Sequence, residues 1–116
     1  MKLPGPDHPI SITPNPKRVT VTFQGKVVAA SDRALVLQEA SYPAVQYIPR
    51  ADAEMAHYAK TERSSHCPYK GDASYYSLPG AGGENAVWSY ETPFPAMAEI
   101  AGHLAFYPNK VEITEG

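Results

Sequence analysis

The sequence contains a single cysteine and a single tryptophan among its 116 residues. One cysteine cannot form an internal disulfide, and a free thiol fits a reducing compartment, so a cytoplasmic location is expected. No apolar stretch approaches the ~20 residues that span a bilayer, and no membrane partner is expected. Met1 to Pro9 carries no apolar run of the kind a secretion signal needs, so no signal peptide is expected. Basic runs are missing as well. Lys and Arg total 10 against 12 Asp and Glu, for a net charge of −2. Nothing in that balance tracks a phosphate backbone, so nucleic acid is not an expected partner. Internal repeats and linkers are absent, and the length fits one domain with one modest core.

Breakers, by contrast, are plentiful: 12 prolines and 8 glycines. So many in a short chain favour short strands over long helices. Residues 1–17 hold Pro4, Pro6, Pro9, Pro14 and Pro16 and read as an extended arm or loose terminus. Residues 18–116 read as one β-rich domain. Val19, Val21 and Phe23 alternate with Thr20 and Thr22, a half-buried strand. Gln24-Gly25-Lys26 turns it into a second strand, Val27 to Ala30. Ala34 to Glu39 and Val45 to Ile48 read as further strands. Ala51 to Ala59 reads as a short helix, with Asp52 and Glu54 in its first turn and Met55 and Tyr58 on one face. Thr61 to Ser65 reads as a polar lead-in. Ala73 to Leu78 and Ala86 to Tyr90 form a pair of strands around a flexible glycine loop. Pro93 to Ile100 gives a second helical turn. His103 to Tyr107 and Val111 to Ile113 close a last hairpin. The expected fold is mostly β: a small single-domain antiparallel β-sheet protein of six to eight strands with one or two short helices.

Chemistry concentrates in one stretch, Ser64 to Tyr76. It holds the only cysteine, together with His66, Lys70, Asp72 and three tyrosines. Cys67 is a candidate nucleophile, which requires a base or a cation to generate the thiolate. His66 is a poor partner, because adjacent side chains on an extended backbone point to opposite faces. Lys70, three residues on, can approach the thiol. The plainer reading is a small buried cysteine packed as a hydrophobe. Cys67-Pro68-Tyr69-Lys70-Gly71 has the rhythm of a zinc knuckle with lysine in place of the second cysteine. An ammonium repels a metal, so no metal is expected. Gly80 to Gly83 lacks the Gly-Lys-Ser/Thr and the helix of a phosphate loop, and no cofactor is expected. Asp72 and Glu39 are candidates for paired carboxylates, although Asp72 after Gly71 also suits a turn.

Three functions follow from these residues. The first is binding of a small anionic or ring-bearing ligand, with Arg33, Tyr47, Lys70, Trp88 and Tyr90 lining an aromatic pocket. In that reading Lys70 and Arg33 hold an anionic group. The second is an enzyme, with Cys67 as nucleophile or Lys70 and Asp72 as an acid/base pair. The third is a structural or interaction module. Oligomeric state is left open by the sequence.

Several blocks occur in order along the chain: Gly25-Lys26-Val27-Val28-Ala29, Ser31-x-Arg33-Ala34-Leu35, Glu39 and Tyr47-Ile48-Pro49. His66-Cys67-Pro68-Tyr69-Lys70-Gly71-Asp72-Ala73-x-Tyr75, Ala86-Val87-Trp88-Ser89-Tyr90 and Ile100 to Pro108 follow. In these the sequence resembles the bacterial domain-of-unknown-function family 427, over roughly residues 18–113. Ile48 stands where phenylalanine is more usual, and the proline-rich arm looks private to this chain. The resemblance implies a compact β-rich fold similar to the β-tent domains that hold zinc in other families. It implies little about activity. A nucleotidyltransferase label is sometimes attached to the family, but this sequence lacks the Gly-Ser and Asp-x-Asp pattern of such enzymes.

Overall fold

Period-two alternation builds most of the protein. A computed structural model describes residues 1–116 and contains ten strands: β1 (Ile10–Pro14), β2 (Val19–Phe23), β3 (Lys26–Ser31), β4 (Leu35–Glu39), β5 (Val45–Tyr47), β6 (Ala59–Cys67), β7 (Gly71–Ser77), β8 (Val87–Ser89), β9 (Leu104–Phe106) and β10 (Glu112–Glu115). They form three antiparallel sheets, ordered β1-β4-β5, β10-β2-β3 and β6-β7-β8-β9. A pair of hydrogen bonds between Ile48 and Leu104 ties the end of β5 to β9. No helix is long and apolar enough to cross a membrane.

The four-stranded sheet serves two cores, one on each face. Successive side chains of a strand point to opposite sides. On β7, Tyr76 therefore joins one cluster while Ala73 and Tyr75 join the other. The first cluster packs Val87, Leu104 and Phe106 against Val19, Val21, Phe23 and Val28 of β2 and β3. It is mostly aliphatic, with Phe23, Phe106 and Tyr76 as its buried rings, and is termed the dry core. Each large side chain buried there contributes roughly 1.5–3 kcal/mol. The second cluster packs Ala73, Tyr75, Tyr90 and Ala105 against Leu37 of β4 and Tyr47 of β5. Aromatic rings dominate it.

The mostly-β antiparallel architecture is the one the sequence pattern predicts. Individual elements differ. Residues 10–14 are not a loose terminus: β1 pairs with all of β4, Ile10 opposite Glu39 and Pro14 opposite Leu35. Ile10 and Ile12 pack against the aromatic core, an alternation hidden among prolines that sit at its ends. The helix expected over 51–59 is two separate 3-10 turns, Arg50–Asp52 and Met55–His57. Met55 and Tyr58 nevertheless face the dry core together. The polar stretch 61–65 lies inside β6, an edge strand with seven of nine residues exposed. Both its faces meet solvent, so it carries no alternation to read. Its charges, including Lys60, Glu62 and Arg63, suit an unpaired edge. The last strand makes no hairpin with its neighbour: β10 pairs with β2. The third helical segment, Pro95–Ile100, is also 3-10 and buries Met97 and Ile100.

Two glycines are needed by geometry. Gly71 opens β7 at φ +112°, a conformation L side chains rarely adopt. A Cβ on Gly83 would lie 2.2 Å from the Leu78 carbonyl oxygen. That approach lets the Leu78 amide donate to the Gly83 carbonyl at 2.9 Å. The glycine loop expected to be flexible is thus hydrogen-bonded internally, and Gln24 donates to Ala81 across it at 2.8 Å.

Candidate functional site

The site grows from β4. Leu35, Leu37 and Glu39 share one face, so a strand that enters the aromatic core on leucines leaves it on a carboxylate. The β6–β7 turn brings the answering charge. Cys67 pairs with Gly71 across this turn, leaving Pro68, Tyr69 and Lys70 as its tip. The Lys2 amide donates to the Pro68 carbonyl at 2.7 Å, and the Phe94 amide to that of Lys70 at 2.9 Å. The turn is therefore clamped on both sides. Lys70 is folded inward and only 6 % exposed, and its ammonium donates to Glu39 Oε1. The other carboxylate oxygen, Oε2, lies 2.7 Å from His8 Nε2. The His8 ring in turn stacks on Tyr69, centroids 4.1 Å apart. His8, Glu39 and Lys70 form one polar chain from the surface to the core. Burial pushes the Glu39 carboxyl up, but the hydrogen bonds and charges of Lys70 and His8 outweigh it and hold it below the ordinary range.

Beside this chain lies a cavity of about 240 Å³. Leu37, Glu39, Lys70, Trp88, Tyr75 and Tyr107 line it. Val45, Tyr47 and Tyr90 line it as well, with the exposed Tyr42 and Pro43 of the β4–β5 loop. Five of the eight tyrosines and the only tryptophan thus meet at one place. Trp88 packs on Tyr107 with centroids 4.6 Å apart and meets Tyr47 edge-on at 6.5 Å. Burial raises the hydroxyls of Tyr47 and Tyr90 far above their ordinary value. Tyr107 is pushed up to about 12, first by burial and then by the Tyr75 hydroxyl 3.5 Å away. Tyr75 goes the other way. Burial raises it, but its hydrogen bonds with Ser65 and Tyr107 and the Arg63 guanidinium over its ring prevail. At neutral pH Tyr47, Tyr90 and Tyr107 are neutral phenols, able to donate and accept.

Of the five residues expected to line a pocket, Tyr47, Lys70, Trp88 and Tyr90 do so together. Arg33 does not. It lies elsewhere, 65 % exposed, and pairs with Asp52 at 3.1 Å beside Ser31. The Ser31 hydroxyl donates to the same carboxylate and, with Arg33, holds it below its ordinary value despite the counteracting desolvation. Arg33 is committed to fixing the turn after β3. Asp72 also fails as a partner for Lys70. Its side chain is 83 % exposed and sits 2.7 Å from His66 Nδ1, on the outer face of the hairpin. One residue of register separates it from the inward Ala73. The paired carboxylates Asp72 and Glu39 are therefore apart. Cys67 is half-buried against the aromatic core. Lys70 Nζ lies 3.8 Å from its sulfur, so lysine occupies the place a second knuckle ligand would take. The ammonium is answered by Glu39 rather than kept for a thiolate.

Glu39, not an anionic ligand held with Arg33, is the partner of Lys70. Continuing the period of Leu35 and Leu37 by two residues would have placed it inward. His8 extends the same rule on β1, in step with Ile10 and Ile12. Arg50 carried no such signal. It binds the Gly102 carbonyl at 3.1 Å, the Tyr76 hydroxyl at 3.1 Å and Glu91 at 2.6 Å, bolting a 3-10 turn to the sheet.

No curated protein matches the sequence. The model of a domain of unknown function, DUF427, matches residues 11–116, which take in every strand of the cavity but leave out His8. The chain belongs to the DUF427 family.

Proposed function

We propose that the protein is a cytoplasmic small-molecule-binding domain whose ligand presents a ring to the tyrosine-lined cavity. One observation carries the reading: a cavity of about 240 Å³ is bounded by Trp88, Tyr47, Tyr75, Tyr90 and Tyr107. Side chains of this size pack to near-crystalline density when they serve only as core. Here they line a space, and Tyr47, Tyr90 and Tyr107 are neutral phenols. Of the two ligand chemistries open to the sequence, the ring-bearing one gains support. The anionic one loses it, because Lys70 is neutralised by Glu39 and Arg33 lies elsewhere. A flat ring stacks on Trp88 or meets its edge, and the phenols accept or donate to ring substituents. The lone free thiol of Cys67 fits the reducing compartment.

A thermal-shift screen with ring-bearing metabolites tests this. A ligand at about 100 times its Kd adds about 2.7 kcal/mol, a rise of roughly 10 °C for a domain of this size. The shift should vanish in Tyr90→Leu. A screen without any stabilising ring compound, or a shift that survives Tyr90→Leu, would sink the proposal.

A further inference from the structure

A second concavity adjoins the first. It is a half-open groove of about 460 Å³ between the edge strands β5 and β10, no more exposed than the first space. Four residues, Tyr42, Pro43, Val45 and Trp88, line both spaces. Trp88 is their common wall, and the Tyr42-Pro43 segment crosses the boundary between them. Tyr42 is 61 % exposed, the most exposed aromatic ring in the chain to border either space. The two spaces differ in chemistry. The cavity carries phenol hydroxyls and the Lys70–Glu39 pair, whereas the groove is walled by Ala44, Phe106, Pro108 and Ile113.

The width of the groove is fixed by construction. Asn15 is 5 % exposed, and its amide nitrogen donates to Gln46 Oε1 at 3.0 Å and to Glu115 Oε1 at 2.7 Å. Gln46 belongs to β5, Glu115 to β10, and both line the groove. A buried donor bridging two sheet edges holds them at a set distance. Its carbonyl oxygen is used too, accepting the Lys17 amide at 2.9 Å. The gap between the sheets is therefore built and not left by loose packing.

We infer that cavity and groove are one elongated site, and that its ligand is an amphiphile. A hydroxylated aromatic ring occupies the tyrosine cavity, and an unbranched apolar chain runs past Trp88 into the groove. This rests on the small-molecule reading above and adds the ligand's second half. Continuity is the argument: a ring held against Trp88 has the apolar groove as the neighbouring space along the same wall. The groove offers one carboxylate, Glu115, and no cation, so an anionic tail is disfavoured.

Trp88 is the only tryptophan, so its fluorescence reports either space. The experiment titrates the full chain with phenol, 4-ethylphenol, 4-butylphenol and 4-hexylphenol. Each methylene that enters the groove should tighten binding by about fourfold. Ala44→Glu puts a carboxylate in the groove alone. It should flatten that dependence and leave the phenol affinity unchanged. Ile113→Thr serves as a second groove variant if Ala44→Glu fails to fold. Phenol binding with no gain from the chain overturns the inference and leaves the ring reading standing. A gain that survives both groove variants also overturns it. Failure of every phenol to bind removes both. A chain-length gain that disappears as protein concentration rises, with a dimer mass in sedimentation, gives the groove to a second copy and overturns the inference.

Discussion

The two faces of the β6–β9 sheet are built from the same strands yet behave as different materials. One face meets β2 and β3 through Val, Leu, Ala and Phe with the single tyrosine Tyr76, and its Val87 and Leu104 are wholly buried. The other meets β4 and β5 through tyrosines, a tryptophan and an ion pair, and borders a half-open cavity. The first face supplies stability through area removed from water. The second holds a paired ammonium, phenols and open volume, and the open volume forfeits packing contacts that a filled core would make. A fold able to close one face so well had the means to close the other. The contrast is the strongest reason to assign function to the tyrosine face.

The largest effect should come from the ion pair. Glu39→Gln leaves the Lys70 ammonium buried without a counter-charge and should cost about 3–5 kcal/mol in urea unfolding. Lys70→Met should cost less, because Glu39 keeps His8 and is more open to water, 19 % against 8 % for the two side chains. The double change Glu39→Gln with Lys70→Met should recover most of the loss, since the buried ammonium is then gone as well. Single losses that simply add in the double variant would show the two groups to be independent.

Next come paired truncations on the two faces. Leu104→Ala in the dry core should cost about 2–5 kcal/mol through lost burial and the void left behind. Tyr90→Phe on the other face should change stability by less than about 1 kcal/mol, because only a hydroxyl is removed. Similar costs on both faces would erase the distinction.

A smaller effect is set by pH. The native Glu39 carboxyl lies below its ordinary value of 4.5, so the unfolded chain binds its proton first as pH falls. Its contribution is complete above that value and is lost as pH drops through the depressed native one. Stability of the wild type should therefore fall on the acid side below about 4.5, and Leu104→Ala should keep that slope. Glu39→Gln should show a shallower acid limb. An unchanged limb would mean that other carboxylates set it.

Much of this was legible in the residues. Alternation located β2, β4, β5 and β7, and the resemblance to DUF427 agreed with it. The aromatic set was legible because Tyr47, Trp88 and Tyr90 fall on or beside strands whose buried faces converge. What escaped was whatever alternation does not encode. β6 is exposed on both faces, so its period is silent. β10 pairs with β2 across almost the whole chain, and strand spacing says nothing of such a closure. Arg33 and Asp72 were placed by residue type, yet each is held outward by a nearer partner, Asp52 or His66. The stretch Ser64 to Tyr76 proved to be two things: an outer face bearing His66 and Asp72, and an inner one bearing Lys70 and Tyr75. Lys70 belongs to the site as a paired, buried cation and not as a free one.

The same substitution on the two faces tests the central claim most directly. Val45→Phe adds a ring where the cavity has space, and Val87→Phe adds it to the dry core. Urea unfolding should find Val45→Phe as stable as wild type or slightly more so, with ring-compound binding lost. Val87→Phe should lose about 1–3 kcal/mol or more through overpacking. Comparable destabilisation by both would mean that the tyrosine face is packed core, and the account of a site there would fall.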